Sequence, residues 1–244
     1  MISASYDGLD ADELGRRTGA TAVEILDSVG SVLDVAHERA AAGAASGLLV
    51  LADRQTAGRG RAGRVWHSPA GAGVYLAALL RPRVRPFSGA IAVRVGLALV
   101  HAVEETAAGA SPWLKWPNDL MVANRKAGGV LCEARWSGVS QGWVAIGIGV
   151  NLRGPFPDEL KGRAIALAEV ASDVTRAALL AALVPKLWQL AERPSALGEE
   201  EREAFRARLW VAPGAEEEPV GVDGDGALLV RAPDGSLDRR VMPA

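Results

Sequence analysis

The sequence predicts an α+β protein, with a larger body of mixed helices and strands and a small all-β tail. Apolar runs of strand length and of helix length interleave without a regular strand–helix–strand rhythm, which argues against a doubly wound parallel sheet. From about residue 210 the pattern changes to short apolar runs punctuated by Asp-Gly at 223, 225 and 234, a hairpin signature. Apolar residues make up 49% of the 244, ample for a sizeable core.

Each element follows from local chemistry. "DADELGRRTG" (10–19) has an acidic first turn and a glycine at its end, and reads as a short polar helix. "ILDSVGS" is an extended lead-in, and residues 31–43 form a helix capped by Ser31 and stopped by Gly43. Residues 47–53 form a strand that enters a Gly/Arg-rich loop, and 73–82 a second strand closed by Pro82. Residues 87–109 give a long, mostly apolar helix. "PWLKWPNDLMVANRKAGGVLCEARW" and "GWVAIGIGVNL" read as short strands with a turn at Asn124-Arg125, the two longer runs being sheet neighbours. Residues 173–191 and 199–209 return to helix, and the acidic patch 214–219 falls in the first loop of the tail.

Composition excludes several classes. The net charge of −2 gives no overall pull toward nucleic acid or membrane. The acidic N-terminus lacks the apolar run of a signal peptide, and no uninterrupted apolar stretch reaches membrane-spanning length, so a cytoplasmic protein is expected. Cys132 is the single cysteine and lies in an apolar run, as expected for a buried structural thiol. Lysine occurs only at 115, 126, 161 and 186, so each invites a chemical explanation. Between Arg54 and His101 there is no acid against eight arginines, an excess that the near-neutral total conceals.

The loop "AGRGRAGRVW" (57–66) has the glycine spacing of a dinucleotide fingerprint at 58, 60 and 63. A dinucleotide site needs a helix behind the loop and an acid about twenty residues on. Pro69, Gly71 and Gly73 rule out the helix, and the next acid is Glu104. What remains is a glycine loop bearing Arg59, Arg61 and Arg64: either an anion site or a mobile basic surface loop, the latter open to RNA. "LKWPNDLMVANRKAGG" sets Asn118 beside Asp119 after an extended Trp116-Pro117 entry, then Lys126 and Gly128-Gly129. These could orient a cation, accept a proton or neutralise an anion, or could be an Asx-turn and a surface lysine. "GIGVNL" ends a strand at Asn151, which can meet an adenine edge or cap a loop.

Taken together, GRGRAGR-V-W, KWPNDL…KAGGVLCE and GIGVN, in this order, resemble the biotin protein ligase family over about residues 25–152. The resemblance implies a mixed-sheet catalytic domain with packed helices, similar to class II synthetases, over 1–209. It implies a small SH3-like β-barrel over 210–244. It implies ATP-dependent ligation of biotin, through biotinoyl-5′-AMP, to a lysine of a biotin carboxyl carrier protein, with Mg²⁺ as activating metal. With no room ahead of residue 25 for a DNA-binding domain, the single-function class is expected, with no nucleic-acid or membrane partner. A homodimer is one assembly the family allows, and no strand edge here is diagnostic.

Residue by residue, the resemblance makes Lys126 the contact to the biotin carboxyl and acyl phosphate. Arg59, Gly60 and Arg61 become a flexible lid over biotin and adenylate, with Arg61 catalytic. Ser31, Gln55 and Gly129 fall to the biotin site. Arg64, Trp66, Lys115, Asn118 and Asn151 fall to the ATP side, alongside Arg59, Arg61 and Lys126. Asp119 is the expected Mg²⁺ ligand and proton acceptor. One departure stands out: where the family has Ser-Thr-Asn, this chain has Ser31-Val32-Leu33. Each hydrogen bond lost to a buried polar group costs about 1–3 kcal/mol, so weaker biotin binding is expected. A lipoate- or octanoate-transferring relative and a non-catalytic biotin or adenylate binder are the alternatives.

Overall fold

In the computed structural model, residues 3, 5–85, 88–137, 141–232 and 234–242 are described. The elements run α1 (Ala11–Thr18), β1 (Ala22–Val29), α2 (Val32–Ala41), β2 (Leu48–Gln55), β3 (Gly73–Leu80) and α3 (Ser88–Thr106). There follow β4 (Trp113–Lys115), β5 (Asp119–Val122), β6 (Arg125–Ser137), β7 (Gln141–Asn151), α4 (Arg176–Trp188) and α5 (Glu199–Ala207). The tail holds β8 (Glu218–Val222), β9 (Leu228–Arg231) and β10 (Leu237–Arg240). The start of the predicted long helix at Phe87 and the chain end at 243–244 lie outside the described residues.

Seven strands form one mixed sheet in the order β1-β2-β3-β7-β6-β5-β4. β1 and β2 are parallel, joined through α2, and every other pair is antiparallel. Alternation along the strands divides the side chains between two cores. Leu49, Leu51, Leu76 and Ala78 face the larger core with α3 and α4. Val50, Ala52, Ala77 and Leu79 face α2 on the other side. β3 is buried along its whole length, as a strand covered on both faces must be.

Helix ends follow the chemistry of their caps. Asp10 accepts from the Glu13 N–H at 2.8 Å and opens α1, and Gly19, left-handed at φ 66°, closes it. Ser31 caps α2, its hydroxyl accepting from the Leu33 N–H at 3.3 Å. Three local expectations shift. The β5–β6 turn sits at Ala123-Asn124, both left-handed, one residue before its expected place. Trp116-Pro117, expected as an extended entry, lies instead in the loop that reverses the chain and sets Lys115 opposite Asp119. The acidic patch runs into β8, which starts at Glu218.

In the tail, β8, β9 and β10 make a three-stranded antiparallel sheet in the order β10-β9-β8. Among the described residues no helix is long and apolar enough to cross a membrane.

Candidate active site

A cavity of about 470 Å³ opens on the α2 face of the sheet. Its floor is set by register: Gly129 pairs with Gly149, Leu131 with Gly147, and Asp119 with Gly129. Two bulky side chains use the space that the glycines leave. A Cβ on Gly149 would stand 2.4 Å from the Trp66 indole, and one on Gly147 would stand 2.8 Å from Leu33. Along β7 the slot therefore runs from Leu33, past Trp66, to Asn151.

All thirteen residues singled out in the sequence line this one cavity: Ser31, Gln55, Arg59, Gly60, Arg61, Arg64, Trp66, Lys115, Asn118, Asp119, Lys126, Gly129 and Asn151. The Lys126 ammonium lies 2.6 Å from an Asp119 oxygen and 5.3 Å from the Trp66 ring centre. Asn118 Nδ2 donates to the Val130 carbonyl at 2.7 Å, and the Val130 N–H returns a bond to the Asn118 carbonyl at 2.9 Å. Asn151 Nδ2 reaches the Lys126 and Ile165 carbonyls, each at 3.4 Å. Trp66 Nε1 is buried without a hydrogen-bond partner among the described residues, an orphaned donor in the slot. Lys115 stands at the rim, its ammonium 5.3 Å from the Trp210 ring centre.

The opposite end is apolar. Val32 and Leu33 are each 3% exposed and lie on the cavity wall. The polar groups there are engaged with the protein. Gln55 Oε1 accepts from the Val32 N–H at 3.0 Å, and Gln55 Nε2 donates to Ser68 Oγ at 2.9 Å.

The arginine loop folds here as a small closed hairpin. Gly60 N–H donates to the Arg64 carbonyl at 2.7 Å and Trp66 N–H to the Gly58 carbonyl at 2.8 Å, bracketing an Arg59–Val65 bridge. Its tip turns through left-handed Ala62 and Gly63, and Val65 is 85% exposed. Burial and the neighbouring Arg64 hold Arg61 below the usual guanidinium range. Arg61 also touches Met242 of the tail. Arg59 points elsewhere: Asp34 and Glu133 bind its guanidinium.

Sequence reasoning missed two groups. Phe156, Leu160 and Arg163 line the cavity from the segment after β7. That segment is laid over Lys126 by backbone bonds, Lys126 N–H to Arg163 O at 2.8 Å and Ile165 N–H to Lys126 O at 3.0 Å. The second is the Glu133–His37–Trp143 chain beside Arg59, spread over three elements. Cys132 is half-buried against the larger core, and burial pushes its thiol up to about 12, which keeps it protonated at neutral pH. Among the described residues no three His, Cys, Asp or Glu side chains gather as a metal site.

A mixed sheet thus carries an arginine hairpin, a lysine–aspartate pair and a glycine-floored slot in one cavity, the form of an enzyme site. The chain belongs to the biotin/lipoate A/B protein ligase family, whose profile matches residues 30–151. It is 41% identical over 152 residues to the bifunctional ligase/repressor BirA of Bacillus subtilis, covering 60% of this chain and 46% of that one. It is 33% identical over 223 residues to the biotin–[acetyl-CoA-carboxylase] ligase of Paracoccus denitrificans, covering 80% of this chain and 87% of that one. The chain thus spans about half the length of some curated relatives and most of others. Among solved structures, the Aquifex aeolicus biotin protein ligase in complex with biotin and ATP superposes with a TM-score of 0.72 at 27% identity. That superposition covers 89% of this chain and 94% of that one.

Proposed function

We propose that the protein joins biotin to a lysine of a biotin carboxyl carrier protein, in two steps and at the expense of ATP. One observation carries this: thirteen positions that the family resemblance assigns to biotin and ATP converge on a single cavity. In the first step a carboxylate oxygen of biotin attacks the α-phosphorus of ATP. Pyrophosphate leaves and biotinoyl-AMP remains. In the second step the carrier amine attacks the acyl carbon, AMP leaves with the bonding pair, and the amine proton passes to a base.

Both partners in the first step are anions, so cations must screen them. Lys126, Arg61 and Arg64 line the cavity where the two would meet, and Lys115 adds charge at the rim. Trp66 offers its face and an unpaired N–H to the adenine, with Asn151 at the far end of the slot. Asp119 is the proton acceptor in this scheme, held by Lys126 at 2.6 Å. Asp119 and Asn118, a carboxylate and an amide side by side on the cavity wall, would hold a magnesium ion arriving with the nucleotide. It would neutralise phosphate charge. The division into a catalytic part, 1–209, and a small β part, 210–244, belongs to the same proposal. It is supported by residues 208–210, which bond along the open edge of β4 just before the tail begins.

The test is incubation with ATP, Mg²⁺, biotin and a purified carrier domain. Biotinylated carrier and an equal amount of AMP are expected. Absence of both would end the ligase proposal. A second reading, transfer of an unadorned acyl group such as octanoate, is favoured by Val32 and Leu33 on the acyl wall. Octanoate supporting pyrophosphate release at lower concentration than biotin would select it.

A further inference from the structure

The side chain of Arg59 is used up inside the protein. Its Nε and Nη2 donate to the two oxygens of Glu133, each at 3.1 Å, and Nη1 donates to Asp34 Oδ1 at 2.6 Å. Glu133 comes from β6 and Asp34 from the first turn of α2, so one guanidinium ties the first limb of the hairpin to two fixed elements. Behind it, the Glu133 carboxylate is itself aligned. His37, 3% exposed, approaches Glu133 Oε2 through Nε2 at 2.7 Å. Its other nitrogen, Nδ1, faces Trp143 Nε1 at 2.9 Å. An indole N–H can only donate, so Nδ1 is the acceptor and Nε2 carries the proton donated to Glu133. These bonds hold Glu133 down to about 2, a carboxylate at any working pH.

We infer that Glu133, aligned by His37 and Trp143, clamps Arg59 so that the hairpin presents Gly60 and Arg61 to the cavity; Glu133 is a positioning residue, and Arg59 an anchor, not a ligand cation. Two carboxylates match its single positive charge and three of its donors, leaving no surplus charge for a phosphate. Burial of the acyl phosphate would then depend on the clamp through the hairpin, which shields the anhydride from water. This last consequence rests on the ligase proposal. The clamp itself does not.

Two measurements on the full chain test it. In ligand-free protein, trypsin cleavage after Arg61 and Arg64 reads release of the hairpin. Glu133→Gln is expected to be cut at least fivefold faster than wild type, and the exposed Asp34→Asn two- to threefold faster. Arg59→Gln should match Glu133→Gln, and the double variant should be no faster than either single one, since both break one link. With biotin, ATP and Mg²⁺ but no carrier, at a temperature where each variant is still fully folded, Glu133→Gln and Arg59→Gln should release biotinoyl-AMP at least fivefold faster. Wild-type cutting rates in Glu133→Gln and Asp34→Asn would overturn the clamp. So would a lowered KM for ATP in Glu133→Gln beside a raised one in Arg59→Gln, the mark of a ligand cation held in reserve. If Glu133→Gln does not fold, Asp34→Asn carries the test. If wild type forms no adenylate, the ligase proposal falls and the proteolysis still decides the clamp.

Discussion

Lys126 makes two contacts in the cavity that set its chemistry, the 2.6 Å pair with Asp119 and the 5.3 Å approach to the face of Trp66. Removing its charge would leave Asp119 facing an incoming carboxylate and phosphate with nothing between them. Lys126→Gln is therefore expected to slow biotin-dependent pyrophosphate exchange by about 10²- to 10³-fold, the scale for loss of one preorganised charge donor. Little change in thermal midpoint should accompany it, because the pair is partly solvated. Glu133 gives a second prediction at this scale. Its pKa is lowered from 4.5 to about 2, by the His37 hydrogen bond first and then by Arg59. A depressed carboxylate contributes stability that is complete above its unfolded pKa and is lost as pH falls through its folded one. The contribution, at most about 3 kcal/mol before solvent screening, should thus be intact from neutral pH to about 5 and fade toward pH 2. Urea unfolding at pH 7, 5 and 3 should show wild type and Glu133→Gln separated by a constant gap at the first two and a smaller one at the third.

β6 and β7 act together as the bed of the slot. Their register puts Gly129 beside Gly149, and the indole of Trp66 lies directly on the second of these. Gly149→Ala would bring a methyl within 2.4 Å of a rigid ring, which must tilt out of the slot. Pyrophosphate exchange should fall at least tenfold through a higher KM for ATP, with unfolding free energy lowered by about 1–3 kcal/mol. Unchanged KM would remove Trp66 from the adenine side. Element by element, caps and punctuation made much of this legible. Asp10 and Ser31 open their helices and Asp-Gly steps punctuate the tail sheet, as their chemistry requires. The arginine loop, Asn118-Asp119, Lys126 and Asn151 stood out by residue type and spacing, while Ser31, Gln55, Gly129 and the rest of the thirteen were legible only through the family resemblance. What stayed hidden depends on contacts between distant residues. Arg163 reaches the site because backbone bonds lay its segment over Lys126, and no periodicity or spacing encodes them. His37 reads in sequence as one of four polar residues on its helix, beside Asp34, Glu38 and Arg39. Its partners Glu133 and Trp143 lie about a hundred residues away on the neighbouring strands. The hairpin's cross-limb bonds and the Arg59 anchor were hidden too, because glycine and arginine content does not encode them.

Across the whole molecule, the loop between β8 and β9 is one route by which the tail reaches the site. Gly226, left-handed at φ 82°, lies against the start of α3, where a Cβ on Gly89 would stand 2.3 Å from the Asp225 carbonyl. The Gly226 carbonyl accepts from Trp116 Nε1 at 3.0 Å, and Trp116 begins the turn that carries Asn118 and Asp119. The tail is therefore joined to the site-bearing turn by a contact that only a glycine at 89 permits. Gly89→Ala tests this by the sign of its effect. In an isolated helix the change stabilises by up to about 1 kcal/mol, since alanine loses less backbone freedom than glycine. With the tail seated, the same methyl strikes backbone atoms that have no free rotation, so the expected result is the reverse. The thermal midpoint should fall, amides of β9 should exchange faster with solvent, and the KM for ATP should rise severalfold as the turn loosens. A raised midpoint with unchanged KM would show that the tail does not hold the turn in solution.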